Sequence, residues 1–307
     1  MTAFAPPTAR VTSPPPTARG RTGSIGWMAL PALVVFVAFA VVPLLGVIGL
    51  SFTSWDGIGA ITVSGLTSWK AVLSDPALLH ALWITFLFTA LSWAVQTPLS
   101  ILIGTFLAGR QRYRGVLAVL YFIPLLLSSA AISITYSALL DPNFGLGAGL
   151  GIPLLRQDWL GRGGLALGVA IFVLSWQYVP FHSLLYQGGV RQIPRSMYEA
   201  AELDGAGRVR QFFSITLPQL KYTFVTSTTL MIVGSLTSFD LIFVLTGGGP
   251  GDATRVLAVD MYKRGFQANL MGPASAIAVI LVLVGLGVAL LMRRLSGNPT
   301  DSQLEGA

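Results

Sequence analysis

Residues 199–218 read Glu-Ala-Ala-Glu-Leu-Asp-Gly-Ala-Gly-Arg-Val-Arg-Gln-Phe-Phe-Ser-Ile-Thr-Leu-Pro, a charged, glycine-punctuated segment between long apolar stretches. Its acids, Glu199, Glu202 and Asp204, cluster ahead of Gly205, a pattern suited to docking rather than to bond-making. Within the apolar stretches the candidates for lining a solute path are Gln96, the trio Trp176, Gln177 and Tyr178, then His182 and Asp240. Aromatic rings stack on apolar faces of a solute, and glutamine bonds hydroxyls. Ionisable groups inside a bilayer are costly and often mark a pathway. The same side chains also pack in a helix bundle, and Asp240 and His182 could instead sit near helix ends, paired or wet. Nothing here makes a catalytic or metal centre. The chain has no cysteine and only His80 and His182, so thiolate nucleophiles, disulfides and thiolate metal sites are excluded and an all-histidine metal site is disfavoured. There is no Gly-x-Ser-x-Gly, zinc-helix motif or intramembrane carboxylate pair.

The elements that must hold these residues are membrane helices. Hydrophobic residues make up 53% of 307 and charged residues 10%, with mean hydropathy +0.72. A soluble domain would carry about 25% charge. Spanning a bilayer core takes about 20 apolar residues as helix. Six stretches qualify, near Trp27–Ser51, Ala81–Ala108, Val116–Leu140, Leu165–Gln187, Tyr222–Leu245 and Pro273–Met292. Internal Pro43, Pro98, Pro124 and Pro180 are expected to kink their helices, since neighbouring helices can satisfy the freed backbone. Trp27, Trp55 and Trp69 read as interface anchors.

Charge sets the orientation. Thirteen of the nineteen basic residues fall in the N-terminal tail, the loops after spans two and four, and the C-terminal tail. Basic residues accumulate on cytoplasmic loops, so both termini and the 188–221 loop are expected in the cytoplasm. The net charge of +7 then belongs to those loops rather than to nucleic acid. The expected organisation is a disordered proline-rich tail over 1–26, a six-helix transmembrane domain over 27–292 and a C-terminal tail over 293–307. The tail carries Pro-Pro-Thr-Ala-Arg twice. No small-x-small cleavage site follows the first apolar run, so an uncleaved first span is expected.

Within 188–221, Ser196 and Glu199 fit a capping box that starts a short helix over Met197–Asp204. Gly205 sits where a left-handed stop is wanted, and Gly207 loosens the turn further. A second amphipathic stretch, Arg208–Ile215, is expected to end before Pro218. Ala200 and Ala201 present a small surface for close backbone approach. Lying on lipid is the alternative, but three clustered acids disfavour an anionic leaflet, so protein docking is preferred.

The spacing Glu199-Ala200-Ala201, three residues, Gly205, nine residues, Ile215, one residue, Leu217-Pro218 resembles the EAA motif of ABC importer permeases. Leu30-Pro31, Pro43 and Leu50–Asp56 look like the opening of the sugar-type permeases, as do Gly65-Leu66, Asp75-Pro76 and the 81–88 run. The stretch Leu245–Thr254, followed by Tyr262, Phe266 and Gly272, resembles the first permease of maltose- and glycerol-3-phosphate-type systems. Together these cover about residues 25–292.

The resemblance implies an all-α membrane fold of six transmembrane helices with a cytoplasmic coupling helix between spans four and five. Glu199, Ala200, Ala201, Asp204 and Gly205 would seat in a cleft of an ATP-binding subunit, with Leu217 and Pro218 setting the exit. It implies a heterodimer with a second permease, two ATP-binding subunits, an extracytoplasmic solute-binding protein and a bacterial inner membrane with its lipid. The solute would be an oligosaccharide or glycerol-3-phosphate-class compound. The chain is not expected to be an enzyme or to hold a cofactor. It has no Gly-x4-Gly-Lys-Ser/Thr loop, and Gly247–Gly251 lacks the lysine and helix start of a phosphate nest, so ATP and Mg would be bound by the partner. A single-chain secondary transporter or channel, with the loop as a plain linker, is the alternative. Dissimilar halves and unpaired charges disfavour it.

Overall fold

The computed structural model describes residues 29–109 and 112–296. The expected tail over 1–26 and residues 297–307 of the C-terminal tail lie outside them. The first unit runs to Gly46 and contributes most of α1 (Leu30–Leu50). A π-helical turn at Val37–Val41 ends two residues before Pro43, which lacks the N–H an α-helix needs there and whose ring would press on the preceding turn.

In the second unit, which starts at Val47, the end of α1 is followed by a two-residue antiparallel ladder, β1 (Thr53–Ser54) and β2 (Thr62–Val63), the only strand pair among the described residues. Next come α2 (Thr67–Leu73) and α3 (Pro76–Leu107), which starts about five residues earlier than composition suggests. Asp75 explains the early start. Its side chain caps the helix by accepting from the Ala77 N–H, and Pro76 occupies the first turn, where its missing N–H costs nothing.

The third apolar stretch is not one helix. It is α4 (Arg112–Leu126) and α5 (Ser129–Leu139), bent by 93° at Leu127-Ser128. Pro124 weakens the end of α4, and Ser128 offers a new start, its hydroxyl accepting from the Ala131 N–H at 3.2 Å. After α6 (Gly163–Gln192) come α7 (Arg195–Leu203) and α8 (Arg208–Gln211). The fifth stretch is also broken, into α9 (Lys221–Leu236) and α10 (Asp240–Thr246), bent by 45°. Finally α11 (Leu257–Tyr262) leads to α12 (Met271–Ser296). Among the described residues four helices are each long and apolar enough to cross a membrane, and the two bent pairs would raise the number to six.

The main core joins α3, α5, α6, α10 and α11 through Phe88, Ile132, Val173, Ile242 and Val259. The α3–α6 packing is close because Gly104 has no side chain. A Cβ there would lie 2.6 Å from the Ser183 carbonyl oxygen and 2.7 Å from Tyr186 Cβ. Small residues permit such backbone approach in membrane bundles. Another cluster, Ile101, Tyr186 and Leu220, anchors the far end of these helices beside α7 and α8.

Candidate functional site

Two places collect the residues singled out above. The first is the Glu-Ala-Ala segment. Helix α7 begins at Arg195 rather than Met197, with Pro194 in the capping position and no side-chain cap, so Ser196 and Glu199 form no capping box. Proline's fixed φ already suits the approach to a helix, which makes the Ser196 cap unnecessary. The stop falls as expected at Gly205, whose φ of +74° is left-handed. Its N–H donates to the Glu202 carbonyl at 3.0 Å, and the Ala206 N–H to that of Ala201 at 2.8 Å. These bonds satisfy the orphan carbonyls of the helix end.

The helical stretch expected over Arg208–Ile215 does not end before Pro218. Helix α8 runs into a π turn at Phe212–Thr216, and a further turn carries Leu217, Pro218 and Gln219. The wider π turn spares Pro218 the hydrogen bond that it cannot donate. Glu199, Ala200, Asp204, Gly205 and Pro218 are exposed, whereas Ala201 and Leu217 are half-buried. Leu217 packs on the cluster of Tyr186 and Leu220, and the Tyr198 hydroxyl meets that of Thr216 at 2.9 Å. Leu203, Val209 and Phe213 are exposed at 91%, 73% and 61%. The segment is thus tied to the bundle on one side and presents apolar side chains beside its acids on the other.

The second place is a cavity of about 350 Å³ at the two helix breaks. Leu125 and Ser129 flank the bend between α4 and α5, and residues 237–241 form the bend between α9 and α10. Of the six pathway candidates, Gln96, Tyr178, His182 and Asp240 line it. His182 is buried, with Nδ1 3.0 Å from the Ser227 hydroxyl. Asp240 begins α10 and is exposed to the cavity. Trp176 and Gln177 are not on the lining. Trp176 packs edge-on against Tyr136, and both ends of the Gln177 amide are bonded, to Ser129 and to Leu127.

Sequence reasoning missed the hydroxyls of Ser129, Ser235, Thr237 and Ser238 on the same wall. The signal was present as Ser128-Ser129 shortly after Pro124 and Thr237-Ser238 inside an apolar run. Paired hydroxyl residues there can serve broken-helix backbone.

Beyond the far end of α10 a charge network joins three elements. Asp260 is fully buried, with Oδ1 2.5 Å from an Arg255 nitrogen and Oδ2 2.9 Å from Arg264 Nε. Arg264 also reaches Asp75 at 2.7 Å, and Arg255 reaches Asp252 at 3.0 Å. Burial alone would lower the Arg255 pKa, but the Asp260 and Asp252 carboxylates outweigh it and raise it. This network fastens the glycine-rich 247–256 loop and α11 to the start of α3.

The fold and cavity define a class, a polytopic helical membrane protein with a polar cavity at two broken helices. The particular family follows from comparison. Residues 96–298 match the family of binding-protein-dependent transport system inner membrane components, and the chain belongs to that family. Similar proteins include the probable ABC transporter permease protein YurN of Bacillus subtilis, 32% identical over 86% of this chain and 93% of its own. Others are the multiple sugar-binding transport system permease protein MsmF of Streptococcus mutans, 32% identical over 88% and 94%, and the trehalose/maltose transport system permease protein MalF of Thermococcus litoralis, 31% identical over 88% and 93%. In fold, the chain superposes with a TM-score of 0.77 on a chain of a bacterial ABC transporter involved in the import of the acidic polysaccharide alginate. That match is 22% identical and covers 88% of this chain and 94% of the other.

Proposed function

We propose that this chain is the sugar-translocating permease of a binding-protein-dependent ABC importer, powered through α7 by an ATP-binding partner. One observation carries the reading: a short helix bearing Glu199-Ala200-Ala201, stopped by a left-handed Gly205, stands exposed beside Leu203 and Val209. A segment with acids and bare apolar side chains together is suited to a protein cleft rather than to water or to anionic lipid.

In this reading each bent pair is one span, giving six, and both termini and α7 lie in the cytoplasm of a bacterial inner membrane. The broken-helix cavity is part of the solute path. Gln96, Tyr178, His182 and Asp240 face the solute there. A second permease completes the channel, two ATPases hold ATP and Mg, and an extracytoplasmic binding protein delivers an oligosaccharide or related solute. The sugar class is supported by the names of MsmF and MalF.

Reconstitution with these partners, followed by a screen of radiolabelled mono- and oligosaccharides and glycerol-3-phosphate, tests the reading. ATP-dependent uptake of at least one sugar is expected, and none without the binding protein. Uptake that persists without ATP or an ATPase would point instead to a secondary transporter.

A further inference from the structure

Gln177 is the one pathway candidate whose side chain is fully committed to another task. We infer that Gln177 is a positioning residue that fixes the break between α4 and α5, and thereby the shape of the cavity wall; this rests on the cavity being the solute path. It sits in the middle of α6, 3% exposed. Its Nε2 donates to the Leu127 carbonyl at 3.2 Å, and its Oε1 accepts from the Ser129 hydroxyl at 3.1 Å. Those two partners lie on either side of Ser128, where the chain turns through 93°.

At that turn helical hydrogen bonding lapses. The Leu127 carbonyl belongs to the end of α4, where four carbonyls lose their intrahelical partners. An unsatisfied carbonyl at membrane depth costs several kcal/mol, and no water is needed if a side-chain amide reaches it. Glutamine is suited to this task because a single group carries both a donor and an acceptor. Leucine of similar size would leave both the carbonyl and the hydroxyl orphaned.

The consequence reaches the cavity through Ser129, which lines it beside Leu125. One turn further along α5, the Ser133 hydroxyl shares its hydrogen between the Ser129 carbonyl at 2.8 Å and the Leu241 carbonyl at 3.1 Å. The bond to Leu241 ties α5 to α10, the second half of the other broken stretch. Gln177 therefore fixes the first turn of α5, Ser133 passes that position to α10, and the residues of both breaks face one space.

The test uses the full chain with its partner subunits in lipid nanodiscs. Since the sequence contains no cysteine, spin labels can be placed without background. Leu120→Cys on α4 and Ile134→Cys on α5 straddle the break. Leu91→Cys on α3 and Phe172→Cys on α6 form a control pair on the closely packed helices. All four positions are exposed.

Gln177→Leu is expected to shift the α4–α5 distance by about 5 Å, the pitch of one helical turn, or to split it into two populations. The control pair should not move. A cysteine probe in place of Ser238, on the cavity wall, should change its rate of alkylation by a neutral maleimide roughly fivefold, the scale on which a buried hydrogen bond shifts a two-state equilibrium. Ser129→Ala, which removes one of the two bonds, should produce a smaller change of the same kind.

An unmoved α4–α5 distance in Gln177→Leu overturns the inference. So does equal disturbance of both pairs, which would mark a general packing role. Neither readout requires a solute, so failure of the transport reading would appear separately, as wild-type protein that takes up no sugar.

Discussion

Replacing Gly205 with proline is expected to cut binding-protein-stimulated ATP hydrolysis and solute uptake by roughly 100-fold while leaving the amount of protein in the membrane unchanged. The native φ is +74°, whereas proline is held near −65° and has no N–H. The substitution therefore removes the bond from Gly205 to the Glu202 carbonyl and forbids the turn that ends α7. A cost of about 3 kcal/mol or more corresponds to about two decades in the population of the docking-competent segment. Because the segment is exposed, the loss should be confined to coupling. Gly205→Asn provides the control, since asparagine tolerates the left-handed region, and it should retain most activity. Ala201→Asp should match the proline variant by a different route, placing a charge at a half-buried position already flanked by Glu199, Glu202 and Asp204. Immunoblots of membranes, set beside uptake and ATPase assays, check all three. Full activity of Gly205→Pro would remove the basis for coupling through α7.

The second large effect concerns Asp260. Asp260→Ala leaves Arg255 and Arg264, 18% and 13% exposed, facing each other without their shared carboxylate. Breaking a buried pair from one side costs about 3–5 kcal/mol, so the variant should unfold at a markedly lower temperature in detergent and accumulate poorly. Replacing Arg255 and Arg264 by leucine and methionine in the same chain should recover part of the loss, because the penalty lies in two largely buried cations that have lost their shared carboxylate and keep only Asp252 and Asp75. Asp75 adds a dependence on pH. The Ala77 N–H and Arg264 hold its carboxyl below the usual range, so its contribution is present above the unfolded value near 4 and is lost as pH falls through the lower folded value. Asp75→Asn should flatten that acid limb in melting curves recorded against pH.

What the sequence made legible follows from which interactions are local. The apolar lengths, the glycine stop at 205 and the prolines all act within a few residues, so they could be read directly. The spacing from Glu199 to Pro218 is likewise a property of one segment. The breaks at Leu127-Ser128 and 237–239 were hidden inside apolar runs, because hydropathy averages over a window and does not register a 93° turn. Ser128-Ser129 and Thr237-Ser238 are local signs of the breaks, but the group that satisfies the Leu127 carbonyl is Gln177, fifty residues distant in sequence. The Asp260–Arg264 pair could be read from its i,i+4 spacing, whereas the reach of Arg264 to Asp75 could not. The capping box fails to form for a local reason: Ser196 and Glu199 have the right spacing, but Pro194 starts the helix earlier. Four of six pathway candidates meet at one cavity although they come from α3, α6 and α10, because groups too polar for lipid turn toward shared interior space.

The proposed role of α7 as a cytoplasmic seat for an ATP-driven partner is tested at Leu203, 91% exposed. In intact cells, Leu203→Cys should resist an impermeant maleimide, while Ile58→Cys, 92% exposed near the ladder, should react. In inside-out vesicles Leu203→Cys should react only after the ATPase is stripped and be protected again when it is restored. Labelling of Leu203→Cys from outside intact cells, or equal labelling with and without the ATPase, would contradict the account.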